Sequence, residues 1–296
     1  MGRHNKISRI QFRGFAGFVN YDMDLADPVT IITAPNGCGK TTLFHMISFV
    51  MDPSGQTFER IRDLPFDEFR CCLTNGMAVG LKREDRPGTE EPDFIYTIYN
   101  KDGSVRNEVD YLKEYGECAM WCVGNVEKKY LEDAGCGVSV NFRPPSHTYY
   151  VNYVTDGRYT WETNEEKWEN ADNPPQFELF TRYFNERNEC TGKEVRVGPE
   201  GVTLYSKQGQ ITIDTMSVGE LHDFALFYNL IFNVSDGVVL IDEPERSMHI
   251  ALQNTFIDKV MEICRMNDLQ VIIATHSPDI VNGYSELMRW PEFAEH

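Results

Sequence analysis

Residues 34–42, Ala-Pro-Asn-Gly-Cys-Gly-Lys-Thr-Thr, have the composition of a loop that binds phosphate. Glycines let backbone N–H groups turn towards phosphate oxygens, and the N-terminus of a following helix attracts negative charge. Lys40 can reach the β and γ phosphates of a nucleoside triphosphate, and the Thr41 hydroxyl can bind Mg²⁺. The residues predicted to contact nucleotide here are Asn36, Gly37, Cys38, Gly39, Lys40, Thr41 and Thr42.

A second candidate segment is 238–243, Val-Val-Leu-Ile-Asp-Glu. Four apolar residues followed by two acids predict a fully buried parallel strand with carboxylates at its end. Asp242 would hold the Mg²⁺ shell together with Thr41, and Glu243 would orient or deprotonate an attacking water. A hydrophobic run that ends in Asp-Glu is common by itself. It indicates a nucleotide site only in combination with the phosphate loop.

His276 follows a third apolar run, 270–274. An imidazole at the end of such a strand can hydrogen-bond a γ-phosphate and so act with Glu243 in catalysis. A lone histidine there is more often structural, but its position about 30 residues after the acids favours the functional interpretation.

Ser217, Gly219 and Glu220 belong to the segment Met-Ser-Val-Gly-Glu at the start of a predicted helix. Ser217 is a good N-cap residue, and Glu220 three residues later completes a capping box. The capping box explains the local sequence fully. It does not explain why the segment lies shortly before the acidic strand end.

The elements that must position these residues are strands and helices in alternation at both ends of the chain. A strand from Ile7, a buried strand at 29–33 and a helix at 41–51 are predicted first. Residues 53 to about 200 contain short strands and turns, a helix at 176–189 and a hairpin at 194–213 that turns at 207–209. The last third predicts helices at 218–234 and 248–266, strands at 237–241 and 270–274, and a short helix from 278.

Composition narrows the class of protein. The 296 residues carry a net charge of −18, with 46 acidic against 28 basic residues, which disfavours extended nucleic-acid contact by this chain alone and suggests a basic partner protein. No apolar stretch is long enough for a membrane span, and the first residues lack a signal core, so we expect a cytoplasmic protein. Cys118 and Cys122 are closely spaced among eight cysteines, but reduced thiols are favoured over a zinc site because nothing nearby completes a ligand set.

The order of phosphate loop, Ser-x-Gly-Glu, Asp-Glu and His resembles that of the ABC ATPase family. Glu-Pro-Glu at 243–245 and Thr-His-Ser-Pro at 275–278 resemble the SMC/RecF-like branch, especially the overcoming-lysogenisation-defect and Septu-type defence ATPases. The opening Ile-Gln-Phe-Arg-Gly-Phe is also similar to that branch's first strand, which implies that Arg13 lies near the nucleotide. The resemblance further implies a homodimer or higher oligomer in which Ser217, Gly219 and Glu220 complete the nucleotide site of the opposite protomer.

These observations predict an α/β fold, a P-loop NTPase head of the ABC type with a mixed or antiparallel β subdomain. Residues 1–52 and 195–296 would form the head, and 53–194 an inserted α+β lobe with a partner or regulatory surface. The function expected is that of an ATP- and Mg²⁺-dependent ATPase that controls an effector in an anti-phage complex. Only 20 residues follow His276, so the effector, a nuclease or similar, should be a separate polypeptide.

Three alternatives stay open at this point. One is the motor of an ABC transporter, which would need membrane partners. Another is a RecF-like DNA-repair ATPase, although we expect nucleic acid to be reached only through a complex and no membrane to be bound. A third is a regulator that binds ATP and hydrolyses it slowly.

Overall fold

The structure is a computed structural model that describes residues 5–85, 92–115, 125–138, 140–143, 152–154, 158–160, 175–198, 201–246, 248 and 250–293. The strands are β1 (Ile7–Phe15), β2 (Val19–Asp24), β3 (Val29–Ile32), β4 (Glu68–Leu73), β5 (Ala78–Glu84), β6 (Asp93–Tyr99), β7 (Val105–Asp110), β8 (Val140–Arg143), β9 (Asn152–Val154), β10 (Arg158–Thr160), β11 (Glu194–Gly198), β12 (Gly201–Ser206), β13 (Gly209–Ile211), β14 (Val238–Asp242), β15 (Gln270–Ala274), β16 (Met288–Arg289) and β17 (Glu292–Phe293). The α-helices are α1 (Lys40–Met51), α2 (Gly55–Glu59), α3 (Tyr111–Tyr115), α4 (Asn125–Asp133), α5 (Pro175–Asn188), α6 (Val218–Tyr228), α7 (Ile250–Gln253), α8 (Phe256–Asn267) and α9 (Pro278–Val281).

β3, β15 and β14 are the centre of a parallel sheet with the order β16-β3-β15-β14-β8. Every residue of these three strands is buried, which is why their sequences are nearly continuous apolar runs. Asp242 pairs with Ala274, and Ala274 pairs with Ile32, so the three strands end level with one another. The segments that follow them therefore leave the sheet at the same edge.

α1 lies between the parallel sheet and an antiparallel sheet of seven strands, ordered β17-β2-β1-β4-β5-β6-β7. One apolar core joins α1 to Phe12 and Tyr96 of the antiparallel sheet and to Leu240 and Ile272 of the parallel sheet. Nine of the twelve α1 residues are buried, as expected for a helix covered on two sides. The helix that begins at the phosphate loop is thus fixed by both sheets.

The opposite face of the parallel sheet packs on α5, α6 and α8. Ile31, Ile241 and Ile273, which alternate with the residues that face α1, belong to this second core. Phe180 of α5 and Phe224 of α6 meet edge to face there, with ring centroids 5.3 Å apart. The third sheet, ordered β11-β12-β10-β9 with β13 beside β12, adds buried residues of β12 to the same core.

The strand pairing shows how residues of the predicted inserted lobe at 53–194 join the two main sheets, and the division into a head and a lobe stays a prediction. β4 to β7 extend the sheet that contains β1 and β2, and β8 joins the parallel sheet beside β14. Much of the predicted lobe is therefore part of the two sheets that hold the phosphate loop. Alternating polarity shows that a segment is a strand, but it does not show which strand it pairs with.

Two predicted helices are divided. The segment 218–234 is α6 followed by a π-helical turn, Asn229–Asn233, whose carbonyl groups and that of Val234 accept hydrogen bonds from the Asn267 side chain. The segment 248–266 contains α7 and α8 with a break between them. The predicted helix at 176–189 is confirmed as α5, and the hairpin turn at 207–209 is confirmed by the pairing of β12 with β13.

Within the described residues, no helix has both the length and the apolar character needed to cross a bilayer. The same part of the chain has no group of three or more His, Cys, Asp or Glu side chains placed to share a metal ion. Cys118 and Cys122, which were considered as zinc ligands, lie outside the described residues.

Candidate functional site

The phosphate loop joins β3 to α1 and packs against strands β1 and β2 of the antiparallel sheet. Gly37 and Gly39 have φ values of 82° and 79°, which favour glycine. A Cβ on Gly39 would lie 2.2 Å from a ring carbon of Phe15 on β1, so the loop is in close contact with that strand. Tyr21 of β2 donates its hydroxyl proton to the Cys38 carbonyl over 2.7 Å. Asn36 and Gly37, at the tip of the loop, are exposed and open to a ligand.

Lys40 is buried at the start of α1, with 6% of its surface exposed. Its ammonium group donates to the Ala34 carbonyl over 2.9 Å and lies 2.6 Å from His276 Nε2. Burial lowers the pKa of Lys40, although nearby acids, Glu243 and Asp242 among them, favour the charged form. The loop thus holds a buried lysine whose ammonium group contacts backbone carbonyl groups and the His276 ring.

Asp242 ends β14 and faces the phosphate loop. Thr41 donates its hydroxyl proton to Asp242 Oδ2 over 2.6 Å. Asp242 Oδ1 is buried and has no hydrogen-bond partner among the described residues, and burial raises the pKa of this carboxyl group. A hydroxyl and a carboxylate with a free oxygen are the ligands that Mg²⁺ prefers, so these two residues fit the predicted metal site.

Glu243 follows directly and has a φ of 47°, a backbone conformation that non-glycine residues rarely adopt. Its backbone N–H donates to the Ala274 carbonyl over 2.8 Å and so continues the pairing of β14 with β15. Its carboxylate lies 2.6 Å from Arg246 Nε, through Oε2, and 3.7 Å from His276 Nε2, through Oε1. Strained residues held by their surroundings are often found at functional sites.

His276 lies in the loop between β15 and α9, beside Lys40 and Glu243. Glu245 holds this loop: one carboxylate oxygen accepts from the His276 backbone N–H over 2.7 Å, and the other from the Thr275 hydroxyl over 2.8 Å. Glu245 was not among the residues predicted to take part in the site, since its only signal in the sequence was a family resemblance.

Ser217, Gly219 and Glu220 form the first turn of α6. Glu220 N–H donates to Ser217 Oγ and the Glu220 carboxylate accepts from Ser217 N–H, so the predicted capping box is present. Burial alone would raise the pKa of Glu220, but hydrogen bonds from Lys193, at 2.9 and 3.0 Å, and from Ser217 lower it. Val218, between them, is 70% exposed. The described hydrogen bonds of this turn do not reach the phosphate loop of the same chain.

Arg13 is on β1, with its side chain 63% exposed and 3.9 Å from Glu68. The described contacts do not bring it to the phosphate loop, so its role near the nucleotide stays a prediction. Lys40, Thr41, Asp242, Glu243 and His276 are the predicted residues that the fold brings together.

Two family models match the chain. One, described as "AAA domain, putative AbiEii toxin, Type IV TA system", matches residues 153–282, and another, described as "AAA domain", matches residues 9–130. The chain is also 34% identical over 92 residues to the cytochrome c biogenesis ATP-binding export protein CcmA of Rickettsia bellii. That match covers 31% of this chain and 46% of the relative, so the chain spans about half the length of the curated protein it matches.

Solved structures resemble the fold over nearly its whole length. An SMC head bound to the C-winged helix domain of ScpA has a TM-score of 0.52 and 15% identity, covering 97% of this chain and 96% of the other. The SMC head with an extended coiled coil from Pyrococcus furiosus, bound to the C-terminal domain of ScpA, has a TM-score of 0.51 and 13% identity, covering 98% and 96%. The chain therefore contains two segments that match AAA-domain family models, and its fold is that of an SMC head.

Proposed function

We propose that this chain binds Mg·ATP at the edge of the parallel sheet and hydrolyses it to ADP and phosphate. The observation that carries the proposal is the convergence of Thr41 with Asp242 and of Lys40 with His276 and Glu243, from three strands that end level. Thr41 and Asp242 would hold Mg²⁺, which would neutralise charge on the phosphate oxygens.

The protein's own groups would act as follows. Lys40 would exchange its contacts with the Ala34 carbonyl and His276 for β and γ phosphate oxygens. His276, released from Lys40, would donate a hydrogen bond to the γ-phosphate. Glu243 would orient the attacking water and accept its proton, once its carboxylate is free of Arg246. Backbone N–H groups of the loop and the N-terminus of α1 would bind the remaining phosphate charge.

The oligomeric part of the proposal concerns the first turn of α6. A capped helix N-terminus is a favourable site for an anion, and Ser217 and Gly219 would meet the γ-phosphate bound to a second copy of the chain. Val218 is among the most exposed large apolar side chains of the described residues, which supports a protein contact at this turn. ATP would thus stabilise a head-to-tail dimer because it binds the closed form better than the open one.

The biological role we propose is control of a separate effector, such as a nuclease, in an anti-phage defence complex. Three observations support it: the family model described as a putative AbiEii toxin, the SMC-like head fold, and the charge of −18, which suits a basic partner protein. The SMC heads it resembles are solved with a bound protein, ScpA, so a head of this shape can carry a partner.

A second candidate, a transporter motor, is favoured by the likeness to the export protein CcmA over 92 residues. The two roles differ in what the chain binds. Co-purification with a membrane protein would support the transporter role, and co-purification with a soluble nuclease would support the effector role.

The ATPase proposal is tested by phosphate release from Mg·ATP and by sedimentation. Lys40→Ala and Glu243→Gln should both abolish turnover, but only Glu243→Gln should retain ATP and sediment as a dimer. Unchanged turnover in Glu243→Gln, with no added dimer, would show that Glu243 is not the base.

A further inference from the structure

We propose that Glu245 is a positioning residue for the ATPase site: its carboxylate fixes the loop that carries His276 and thereby sets the imidazole opposite Lys40. This inference rests on the proposed function, because it assigns His276 a part in ATP hydrolysis. Glu245 would act through His276 and would not touch the nucleotide.

Both oxygens of the Glu245 carboxylate are used on two consecutive residues. Oε2 accepts from the Thr275 hydroxyl over 2.8 Å, and Oε1 accepts from the His276 backbone N–H over 2.7 Å. Hydrogen bonds to an ionised carboxylate are about twice as strong as neutral ones, and two of them fix an orientation as well as a distance. We call this pair of hydrogen bonds the Glu245 clamp. Thr275 is fully buried, so its end of the clamp is held rigidly.

The base of the clamp is fixed as well. Glu245 lies in the short 3-10 turn Pro244–Arg246, directly after β14, and its carbonyl accepts from Met248 N–H over 3.2 Å. Pro244 is buried and restricts the backbone there. Glu245 therefore ties the end of β14 to the loop that follows β15, across the strand pair whose last partners are Asp242 and Ala274.

The imidazole has little else to orient it. Its Nε2 lies 2.6 Å from Lys40 Nζ and 3.7 Å from Glu243 Oε1, and its side chain is 33% exposed. Within the described part of the chain, no hydrogen bond holds its Nδ1. Functional histidines are commonly oriented through that second nitrogen. In this protein the Glu245 clamp orients the ring instead, because it fixes the backbone of the residue that carries the ring.

Another interpretation is that Glu245 acts through its charge, as a base or a metal ligand. Glu245→Gln separates the two. The amide oxygen can still accept from the His276 N–H, and the amide NH₂ can donate to the Thr275 hydroxyl, which accepts as well as donates. This variant keeps the clamp and loses the charge, whereas Glu245→Ala loses both.

The kinetic test compares wild type, Glu245→Ala, Glu245→Gln, His276→Ala and the double variant Glu245→Ala/His276→Ala. Misplacing a catalytic group by about 1 Å can cost up to about 100-fold, so Glu245→Ala should lower kcat by ~10-fold or more with little change in KM for ATP. The kcat of Glu245→Gln should stay within about 3-fold of the wild-type value. In the His276→Ala background, adding Glu245→Ala should lower kcat by less than about 2-fold. The proposal would be overturned if the loss of kcat in the double variant equalled the product of the two single losses. It would also be overturned if Glu245→Gln were as slow as Glu245→Ala.

A second readout does not depend on turnover. The ring signal of His276 in a proton–carbon NMR spectrum, assigned with His276→Ala, should move in Glu245→Ala and stay in Glu245→Gln. Glu262→Ala is the matched control, since the Glu262 carboxylate also accepts two hydrogen bonds, in its case from the side chains of Tyr183 and Arg182, but lies on α8. A His276 signal that is unchanged in Glu245→Ala would overturn the positioning role. Absence of ATP turnover in wild type would instead overturn the proposed function alone.

Discussion

Asp242 carries a carboxylate that is 98% shielded from solvent, since only 2% of the residue is exposed. One of its oxygens has the Thr41 hydroxyl as partner, and the other has none among the described residues. An ionised group in such a place destabilises the free protein unless a cation joins it. In the proposed function, Mg²⁺ would supply that cation, and Asp242 would lower the stability of the protein when the metal is absent.

Asp242→Asn should therefore stabilise the nucleotide-free protein and abolish its stabilisation by Mg·ATP. Burial raises the pKa of Asp242 above its ordinary value of 3.8, so the stability that its protonated form gives is present at low pH and is lost as pH rises through the raised pKa. Thermal unfolding at neutral pH should show a Tm a few degrees higher in the variant, with the difference shrinking towards acid pH.

Asp22→Asn is the control for this prediction. The hydrogen bond and charge of Arg9 lower the pKa of Asp22, so loss of that carboxylate should not raise Tm. If Asp242→Asn melts at or below wild type at neutral pH, or still gains stability from Mg·ATP, our account of the buried carboxylate is wrong.

Gly39 and Gly37 offer a matched pair in the phosphate loop. Both have positive φ, so Ala costs about 1–2 kcal/mol of backbone strain at either position. Only at Gly39 would the added Cβ also collide with Phe15, at 2.2 Å, while at Gly37 no described atom beyond the adjoining residues would lie within 4 Å of it. Gly39→Ala should lower both Tm and ATP affinity more than Gly37→Ala does, as measured by melting and titration. Equal losses in the two variants would show that β1 does not support the loop.

At the scale of elements, α6 begins with a capping box that serves stability and, in our proposal, nucleotide binding across a dimer. α2 begins with the same device, in which Ser54 and Thr57 exchange hydrogen bonds. Ser217→Ala and Ser54→Ala should each cost about 1 kcal/mol of folding free energy, because each removes an N-cap.

Only Ser217→Ala should also reduce ATP turnover and ATP-dependent dimerisation in the Glu243→Gln background. Chemical denaturation would compare the stabilities, and sedimentation would compare the dimers. A Ser54→Ala variant that loses dimerisation to the same extent would show that the effect comes from stability and not from the nucleotide.

Helices and strands could be predicted from the sequence where their formation depends on residues close together in the chain. The apolar runs of β3, β14 and β15 and the capping box of α6 follow from residue types and spacing. The end of α6 was not predictable in this way, because the π-helical turn at Asn229–Asn233 is held by Asn267, which is far along the chain. Glu245 was missed for the same reason: its partners are 30 residues away and belong to another strand end.

On the scale of the whole molecule, the parallel sheet explains why three distant segments form one site. Parallel strands end at a common edge, so the order of motifs in the sequence was enough to predict which residues meet. The lobe at 53–194 stays a prediction, but the sequence did not predict that β4 to β7 complete the antiparallel sheet and β8 the parallel one. That pairing depends on which partner buries each apolar face, and residue periodicity does not specify it.

The edge of the parallel sheet is the proposed binding site for Mg·ATP, and calorimetric titration of ATP tests this proposal most directly. Wild type should bind one ATP per chain, more tightly with Mg²⁺ than without. Lys40→Ala should weaken binding by at least ~100-fold through loss of charge-assisted hydrogen bonds, while Lys82→Ala, which removes an exposed lysine paired with Glu84, should bind like wild type. Tight, Mg²⁺-dependent ATP binding by Lys40→Ala would contradict the account.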